Sequence, residues 1–545
     1  MRDIRRFFAS AALLTLSALI MRSISVSFSA YAANTAGPEA MGLFSLIMSV
    51  FGFGLTVATS GVNLAVTRMV SEAHGQNDPA LAAKSMKKCI AYALAFSLFA
   101  ASALFIFARA ICKSILQDER AVLSLRILAI SLPFISLTSA LNGYFTAVRK
   151  VYKNTAYSIA EQLIKIFITV KLFEAFLHKG IEYACIAMVA ADAISEFSAF
   201  LISFTMYYFD KDRSPKEKFT SVPDSFVKKK LCSIALPVAF STYIRSGLLT
   251  IEHILIPKGL AKSGKNHTEA LSSYGMLHSM VMPVILFPTA ILSSFAGLLI
   301  PELAEAKVKN KKALISSIAS RAFQYSLIFS FGIAGFLISF SGELGLLIYE
   351  SPEVSRYIRF IAPLIPVMYL DSVTDAMLKG LGKQVYSMNV NIIDALLSII
   401  CVIFLLPKFG MTGYIITIYL TELINAALSI SGLLSTADLK PKIFKWVFAP
   451  LFSILGASAF SRFIFSFIDL PLSMLKQIIF NGIIMLLFYT VFILISGAMS
   501  KRDRVWLKNV IFVRRYSANH CAVGQDARKC SVSLQKERPR SIQKY

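Results

Sequence analysis

The sequence predicts an all-α polytopic membrane protein with about 14 transmembrane helices, arranged as two parallel six-helix repeats followed by two extra helices. Three observations predict it. The 545-residue chain is 56% hydrophobic, with a mean hydropathy of +0.65, which is too apolar for a soluble protein of this length. Apolar runs of about 20 residues, long enough to cross a bilayer, recur along it. The sequence also matches itself when shifted by 233 positions.

The first half supplies six runs, at 7–31, 41–66, 88–108, 122–147, 155–177 and 181–208. The second supplies 231–257, 273–300, 322–348, 355–378, 385–406 and 411–435. Two more, 443–465 and 474–498, have no partner in the repeat. At the 233 shift Gly42 falls on Gly275, Arg126 on Arg359, Pro133 on Pro366 and Glu161 on Asp394. The stretch 71–77 falls on 304–310. Nearer the N-terminus the shift is 223, which pairs Arg22 with Arg245, and further on it is 230, which pairs Asp192 with Glu422. Both changes of shift fall in expected loops, where insertions are tolerated. Overlap of unrelated apolar runs does not explain charges and prolines that coincide as well. Six is an even number, so both copies enter the membrane in the same direction. The units expected are a first bundle over 1–208, a basic linker over 209–230, a second bundle over 231–436, two added helices over 437–500 and a basic tail over 501–545.

The net charge of +25 raises the question of nucleic acid, but its placement answers differently. Lys and Arg crowd into alternate loops, as at Lys84, Lys87 and Lys88 or Arg149, Lys150 and Lys153, while the loop between the first two runs has none. That is the positive-inside pattern of a multi-pass protein of the cell membrane with both termini in the cytoplasm. Anionic membrane lipids are the partners it favours, and no nucleic acid is expected. Residues 501–516 mix Trp506, Leu507, Val510 and Phe512 with Lys and Arg, as a surface-lying helix would.

Several motifs are set aside. Arg2, Arg5 and Arg6, an apolar run and Ala30–Ala33 imitate a cleaved secretory signal, but Arg22 interrupts the run and the segment has its counterpart around Arg245. Gly259–Lys265 fits the spacing of a phosphate-binding loop, but Asn266 follows where Ser or Thr is needed and no strand precedes it. Asp210 and Asp212 imitate the DxD of a metal-dependent glycosyltransferase inside a charged linker. The seven cysteines are scattered, with no metal-ligand spacing. No catalytic residue, metal or cofactor is expected, and the chain reads as a protein other than an enzyme.

The chemistry lies in charges within the apolar runs. Each costs about 2.5–3.5 kcal/mol near the bilayer centre, so it must pair, reach the interface or face water. Arg126, Lys171 and Arg359 lie near helix ends and are expected to snorkel. Glu161 and Lys165 are four apart, a good intrahelical pair. Asp192 and Glu196 are also four apart but of like sign, so they need a cation, a proton or a basic neighbour. Asp371 and Asp375 repeat the acidic spacing, and Arg245 and Glu252 lie seven apart on one face. Arg22 and Arg245 open the two halves, and two guanidiniums across a central cleft would suit a phosphate or pyrophosphate. Glu161, Lys165, Asp192, Glu196, Asp394 and Glu422 are candidates for taking up a coupling ion, Na⁺ or H⁺. The matched Pro133 and Pro366, with Pro283, Pro288 and Pro363, mark either fixed kinks or hinges.

Two six-helix parallel repeats plus two helices resemble the multidrug/oligosaccharidyl-lipid/polysaccharide exporter superfamily. More narrowly, the chain resembles its stage V sporulation protein B and polysaccharide flippase group. The residues that carry this are Leu141-Asn142-Gly143-Tyr144-Phe145, Glu161-Gln162, Gly180-Ile181-Glu182-Tyr183-Ala184, Glu196, Glu252 and Pro301. More distantly it is similar to MurJ-type lipid II flippases, whose first helix lines the cavity with an arginine that Arg22 matches. Where those carry a second arginine about two turns on, this chain has Phe28 and Ser29, and Arg245 stands in. The resemblance implies a flippase for undecaprenyl-pyrophosphate-linked sugars, lipid II or a related precursor of wall, spore cortex or polysaccharide. It implies a cavity lined by Arg22, Arg245, Asn142 and Glu252, a lipid-linked glycan as substrate and cell-wall synthesis proteins as partners. The other readings are a cation-coupled multidrug exporter, a non-transporting scaffold for cell-wall synthesis and, last, a membrane glycosyltransferase.

Overall fold

The structure, a computed structural model, describes residues 2–76, 78–211, 223–439, 441–465 and 473–499. Asp212 of the linker and the surface helix expected at 501–516 lie outside the described residues. Among the described residues every regular element is helical. The helices α1 (2–36) and α2 (38–59) form one run broken at Gly37, whose φ of 83° only glycine adopts freely. After a turn at Ser60 and Gly61, α2 resumes as Val62–Gly75. Then follow α3 (Pro79–Ala110), α4 (Val122–Ala147), α5 (Val151–Phe176) and α6 (Ile181–Lys211).

The second half opens with α7 (Asp224–Lys262). The helix α8 is assembled from His267–Gly275, a π-helical stretch Met276–Val281, Met282–Leu286 and Thr289–Val308. Next are α9 (Lys312–Ser339), with the short Ser341–Tyr349 behind it, and α10, made of Pro352–Ile361 and Ile365–Gly380 around a tight turn at Ala362–Leu364. The helices α11 (384–409) and α12 (411–437) again form one run, broken at Gly410. Two further helices, α13 (Ala449–Phe465) and α14 (Met474–Ile495), pack on α9, where Tyr489 donates to the Ile328 carbonyl at 2.6 Å. Eleven of these runs are long and apolar enough to cross a membrane, two of them holding two spans each. The run α5, which carries Glu161, Lys165 and Lys171, is not among the eleven.

The backbone itself repeats. Left-handed residues close equivalent helices at Gln117 and Glu350 (φ 61° and 50°) and at Arg149 and Gly382 (φ 60° and 68°), each pair 233 apart. Gly180 and Gly410 (φ 115° and 56°) do the same at a shift of 230. Asp118 and Ser351, also 233 apart, both cap the next helix, accepting from the Arg120 and Val354 amides at 3.0 and 3.3 Å. Such matches involve turn chemistry rather than apolar composition, so they reflect a shared scaffold.

Two expectations change. The helices outrun their apolar cores: α2 continues to Gly75, α3 starts at Pro79 and α7 at Asp224. Hydropathy registers only the apolar part of each helix, and the more polar turns that extend it carry no such signal. The last residues of the expected linker, 224–230, are therefore the first turns of α7. The matched prolines also differ in effect. Pro133 sits within an unbroken α4, whereas Pro363 lies in the turn that splits α10 and Pro366 just after it.

Candidate transport site between the halves

The halves meet along two lines. At one end α8 lies against α1 and α2. Gly42 and Gly275, equivalent in the repeat, pack on each other: a Cβ on Gly42 would stand 2.0 Å from the Leu271 carbonyl oxygen, and one on Gly275 would stand 2.4 Å from the Gly42 nitrogen. Ser279 binds Ser45 and donates to the Met41 carbonyl at 3.2 Å, and Ser29 donates to the Ser279 carbonyl at 3.0 Å. Nearby, Arg120 bridges Glu39 (3.0 Å) and Asp118 (2.7 Å), tying α2 to the loop after α3.

At the other end α7 crosses into the first half. Val227, Leu231, Ile234 and Ala235 are buried in one apolar cluster with Val62, Met69, Met86 and Phe145. Gly61, at φ 77°, lets the turn in α2 approach the Ala235 backbone, where a Cβ would stand 2.6 Å from its oxygen. Asp224 binds Lys84 at 2.7 Å and also Lys88, and Lys230 binds Glu72. Between the ends Ser60 bonds Thr242 (2.7 Å), Thr56 bonds Ser246 (3.0 Å) and Tyr243 donates to the Val57 carbonyl (3.2 Å).

Inside the first half, α5 and α6 bring Glu161, Lys165, Asp192 and Glu196 into one electrostatic cluster. The expected pairing of Glu161 with Lys165 is replaced by one across the helices, because the ammonium of Lys165 lies against Asp192. Asp192 is thereby supplied with the basic neighbour its spacing called for. Lys165 also stands over the Phe28 ring of α1 at 6.0 Å. Buried Tyr157 lies among Glu161, Glu196 and Asn142. Asn142 accepts from the Asn154 amide at 2.6 Å and its carbonyl from Thr146 at 2.8 Å, so it joins the end of α4 to the start of α5. The counterpart contact, 233 residues on, is Ser387 to Asp375, with Lys379 on the same carboxylate at 2.5 Å.

The second half gathers Glu252, Asp371, Asp394 and Glu422 from α7, α10, α11 and α12. Ser398 donates to Glu252 at 2.6 Å, and Asn425 donates to Asp371 at 3.1 Å. Arg245 lies in the field of Asp371 and Asp394. The charge of Arg22, on α1, acts on Tyr369, and that of Arg245 on Asp371, so one arginine from each half influences α10 electrostatically. Three linked acceptors here are buried without a hydrogen bond, Asp371 Oδ1, Asp394 Oδ1 and Asn425 Oδ1, and so is Arg22 Nε on α1. Such groups are expensive in a low-dielectric interior unless water or a ligand meets them.

The basic residues expected to snorkel each find a partner near the helix ends. Arg126 stands over Phe105 at 5.3 Å, Arg359 donates to Ser341 at 3.0 Å, and Lys171 binds Glu174 at 2.8 Å. The motifs set aside are occupied structurally: Lys265 bonds Ser273 at 2.6 Å, and Asp210 binds Lys150 and Lys153 at 2.5 and 3.1 Å.

One group was not singled out from the sequence. Tyr274 and His253 bond at 3.0 Å, and His278 and Tyr414 at 2.9 Å, with the two imidazoles 4.8 Å apart and Ser49 of α2 beside Tyr274. The available signal was Tyr274 and His278 four apart in an apolar run, with His253 next to Glu252. The network ties α7, α8 and α12 together beside the Gly42–Gly275 contact.

Comparison with known proteins agrees with this architecture. Residues 7–307 match the family described as polysaccharide biosynthesis protein, and residues 262–404 match the MatE family. Stage V sporulation protein B of Bacillus subtilis (strain 168) is 24% identical over 77% of this chain and 83% of its own length. Sporulation protein YkvU of the same strain is 20% identical over 80% of this chain and 99% of its own. Among solved structures, the lipid II flippase MurJ in an inward closed conformation superposes with a TM-score of 0.67 and 15% identity, over 91% of this chain and all of that one. A multidrug resistance MATE transporter of the MOP superfamily, inward-facing, gives 0.60 and 13% over 78% of this chain and 99% of that one. These two likenesses establish the fold.

Proposed function

We propose, from the premise that the chain belongs to the polysaccharide biosynthesis protein family of MOP superfamily transporters and flippases, that it flips an undecaprenyl-pyrophosphate-linked sugar precursor. Lipid II or a related wall, cortex or polysaccharide intermediate is the substrate, and the membrane crossed is the cytoplasmic one, with both termini inside. The observation that carries this reading is that Arg22 and Arg245, one from each half, both act electrostatically on α10, where the buried Oδ1 of Asp371 has no hydrogen bond. Guanidiniums bind phosphate oxygens in bidentate fashion. A pyrophosphate between the halves supplies acceptors to both arginines while the prenyl chain stays in lipid.

Transport proceeds by alternating access. The end closed by α7 on the first half opens to the cytoplasm, the head group enters, and the halves rock. The end closed by Gly42 and Gly275 then releases the head outside. The carboxylates of the second half, Glu252, Asp394 and Glu422 with Asp371, take the Na⁺ or H⁺ that resets the carrier, and Glu161, Lys165, Asp192 and Glu196 form the corresponding station in the first half. Cell-wall synthesis proteins receive the product.

A second reading, a cation-coupled multidrug exporter, is favoured by the MatE match over 262–404. Reconstitution decides between them. Purified protein in liposomes should flip lipid II, and Arg22→Ala or Arg245→Ala should abolish flipping while leaving the protein folded and inserted. Normal flipping by both variants would exclude the arginine site. Export of organic cations without any flipping, under every ion gradient, would favour the second reading.

A further inference from the structure

A cavity of about 460 Å³ opens on the seam between α2, α3 and α7. It lies on the side of α7 that faces away from the charged interior. Gly247, Thr250, Ile251 and Ile254 line it, which are positions i, i+3, i+4 and i+7 and so form one stripe of that helix. Arg245 and Glu252, seven apart, occupy the opposite face at about 100° per residue. One helix therefore separates a polar interior from an apolar groove. The facing wall comes from the first half, with Phe53 and Gly54 of α2 and Phe99 of α3. Phe99 is 69% exposed and Ile251 48%, so the mouth opens sideways where the bilayer lies. The hydroxyl of Thr250 is already donated to the Ser49 carbonyl at 3.1 Å, which leaves the groove without a polar demand.

We propose that this groove holds the isoprenoid chain of the transported lipid while its pyrophosphate head is on the Arg245 side of α7. The inference rests on the flippase reading above and adds the site of the tail. Hydrocarbon in the groove restores dispersion contacts that an unfilled apolar cavity lacks. Any lipid chain could do that, but a chain tethered to a head bound at Arg245 is presented at high effective concentration, and a free phospholipid is not. The groove also takes walls from both halves, so an occupant remains on the seam as the halves rock.

The test uses the full chain in proteoliposomes with two photoreactive probes. One is undecaprenyl pyrophosphate with a diazirine in its chain, and the other is phosphatidylglycerol with a diazirine in an acyl chain. The isoprenoid probe should label peptides containing 50–57 or 247–254, and unlabelled undecaprenyl pyrophosphate should compete it away. Gly247→Leu should lower that labelling roughly tenfold by filling the groove. A Cβ on Gly247 meets nothing nearer than Phe53 at 3.5 Å, so the helix tolerates it. Gly52→Leu, at a position with nothing within 4 Å and outside the groove, should leave labelling unchanged. Equal, uncompeted labelling by both probes would identify ordinary bilayer lipid and overturn the proposal. Labelling elsewhere with lipid II flipping intact would overturn the groove alone. Failure to flip lipid II or to bind undecaprenyl pyrophosphate would overturn the flippase reading with it.

Discussion

The two halves share a scaffold and differ in how they treat charge. In the first, Lys165 stands against Asp192 and neutralises part of a cluster of three carboxylates. In the second, the position 233 residues on from Lys165 is Ser398. That hydroxyl donates one hydrogen bond to Glu252 and brings no charge. Arg245 is in the field of Asp371 and Asp394, while Glu252 and Glu422 feel those carboxylates instead. Left-handed turns, caps and the α4–α5 contact survive in both copies, so backbone geometry has been kept while the electrostatics diverged. A lobe whose ion pair is built in needs less of a coupling ion to balance its carboxylates. A lobe with surplus carboxylates suits an ion that comes and goes.

The comparison is sharpest at Lys165. Lys165→Ala strands a buried carboxylate, Asp192, and should cost about 3 kcal/mol, the range for breaking a buried pair. Ser398→Ala removes one hydrogen bond to a charged acceptor and should cost about 1.5–3 kcal/mol. Thermal melting in detergent should rank the two in that order, and the reverse order would mean that the second half depends more on its fixed partners. Ser398→Lys carries the comparison to function. It installs the first half's lysine among the second half's acids and should remove the cation dependence of transport while leaving the protein folded. Unchanged cation dependence would place the coupling ion elsewhere.

The seam, in contrast, should respond symmetrically. Gly42→Ala and Gly275→Ala each thrust a Cβ into the other helix's backbone, at 2.0 and 2.3 Å from carbonyl oxygens. Backbone cannot rotate aside, so each should cost about 1–3 kcal/mol and favour separation at that end. Cysteine cross-linking between α2 and α8 would register the separation. Equal losses in both variants would match their equivalent places in the repeat, and a large difference would break the two-fold reading of this contact.

How much of this was legible in the sequence follows from what each feature depends on. The duplication was visible because Arg22 and Arg245, or Pro133 and Pro366, are the same residue types at fixed shifts. The membrane class followed from composition, and the fold from counting runs. The pairing of Lys165 with Asp192 was not visible, since sequence spacing specifies neighbours on one helix and says nothing of how two helices face. The same limit hid the network of His253, Tyr274, His278 and Tyr414, which three different helices bring together. The crossing of α7 into the first half was hidden for a different reason. Hydropathy starts that helix at 231 and assigns its first turns to a linker, although Val227 and Leu231 are buried against α2 and α3.

That crossing provides the smallest and most specific test. By repeat register α7 belongs to the second half, yet its first turns are fastened to the first by Asp224 on Lys84 and Lys88 and by Lys230 on Glu72. These are water-exposed pairs, with the Asp224 side chain 56% accessible, so each adds little to stability and is screened by salt. The apolar contacts of Val227, Ile234 and Ala235 hold the segment in place, and the ions bias when it lets go. Asp224→Asn should therefore leave the melting temperature nearly unchanged. With Cys232 replaced by serine, it should raise the accessibility of a cysteine placed at the buried Ile234 to a water-soluble thiol reagent by a few fold at low salt, converging with the parent protein at high salt. The matching change in the first half's own ion pair, Lys165→Ala, sits inside the bundle and should show no such salt dependence. If Asp224→Asn instead behaved like Lys165→Ala, losing stability at all ionic strengths, the fastening of α7 would be part of the fixed scaffold and not a releasable closure.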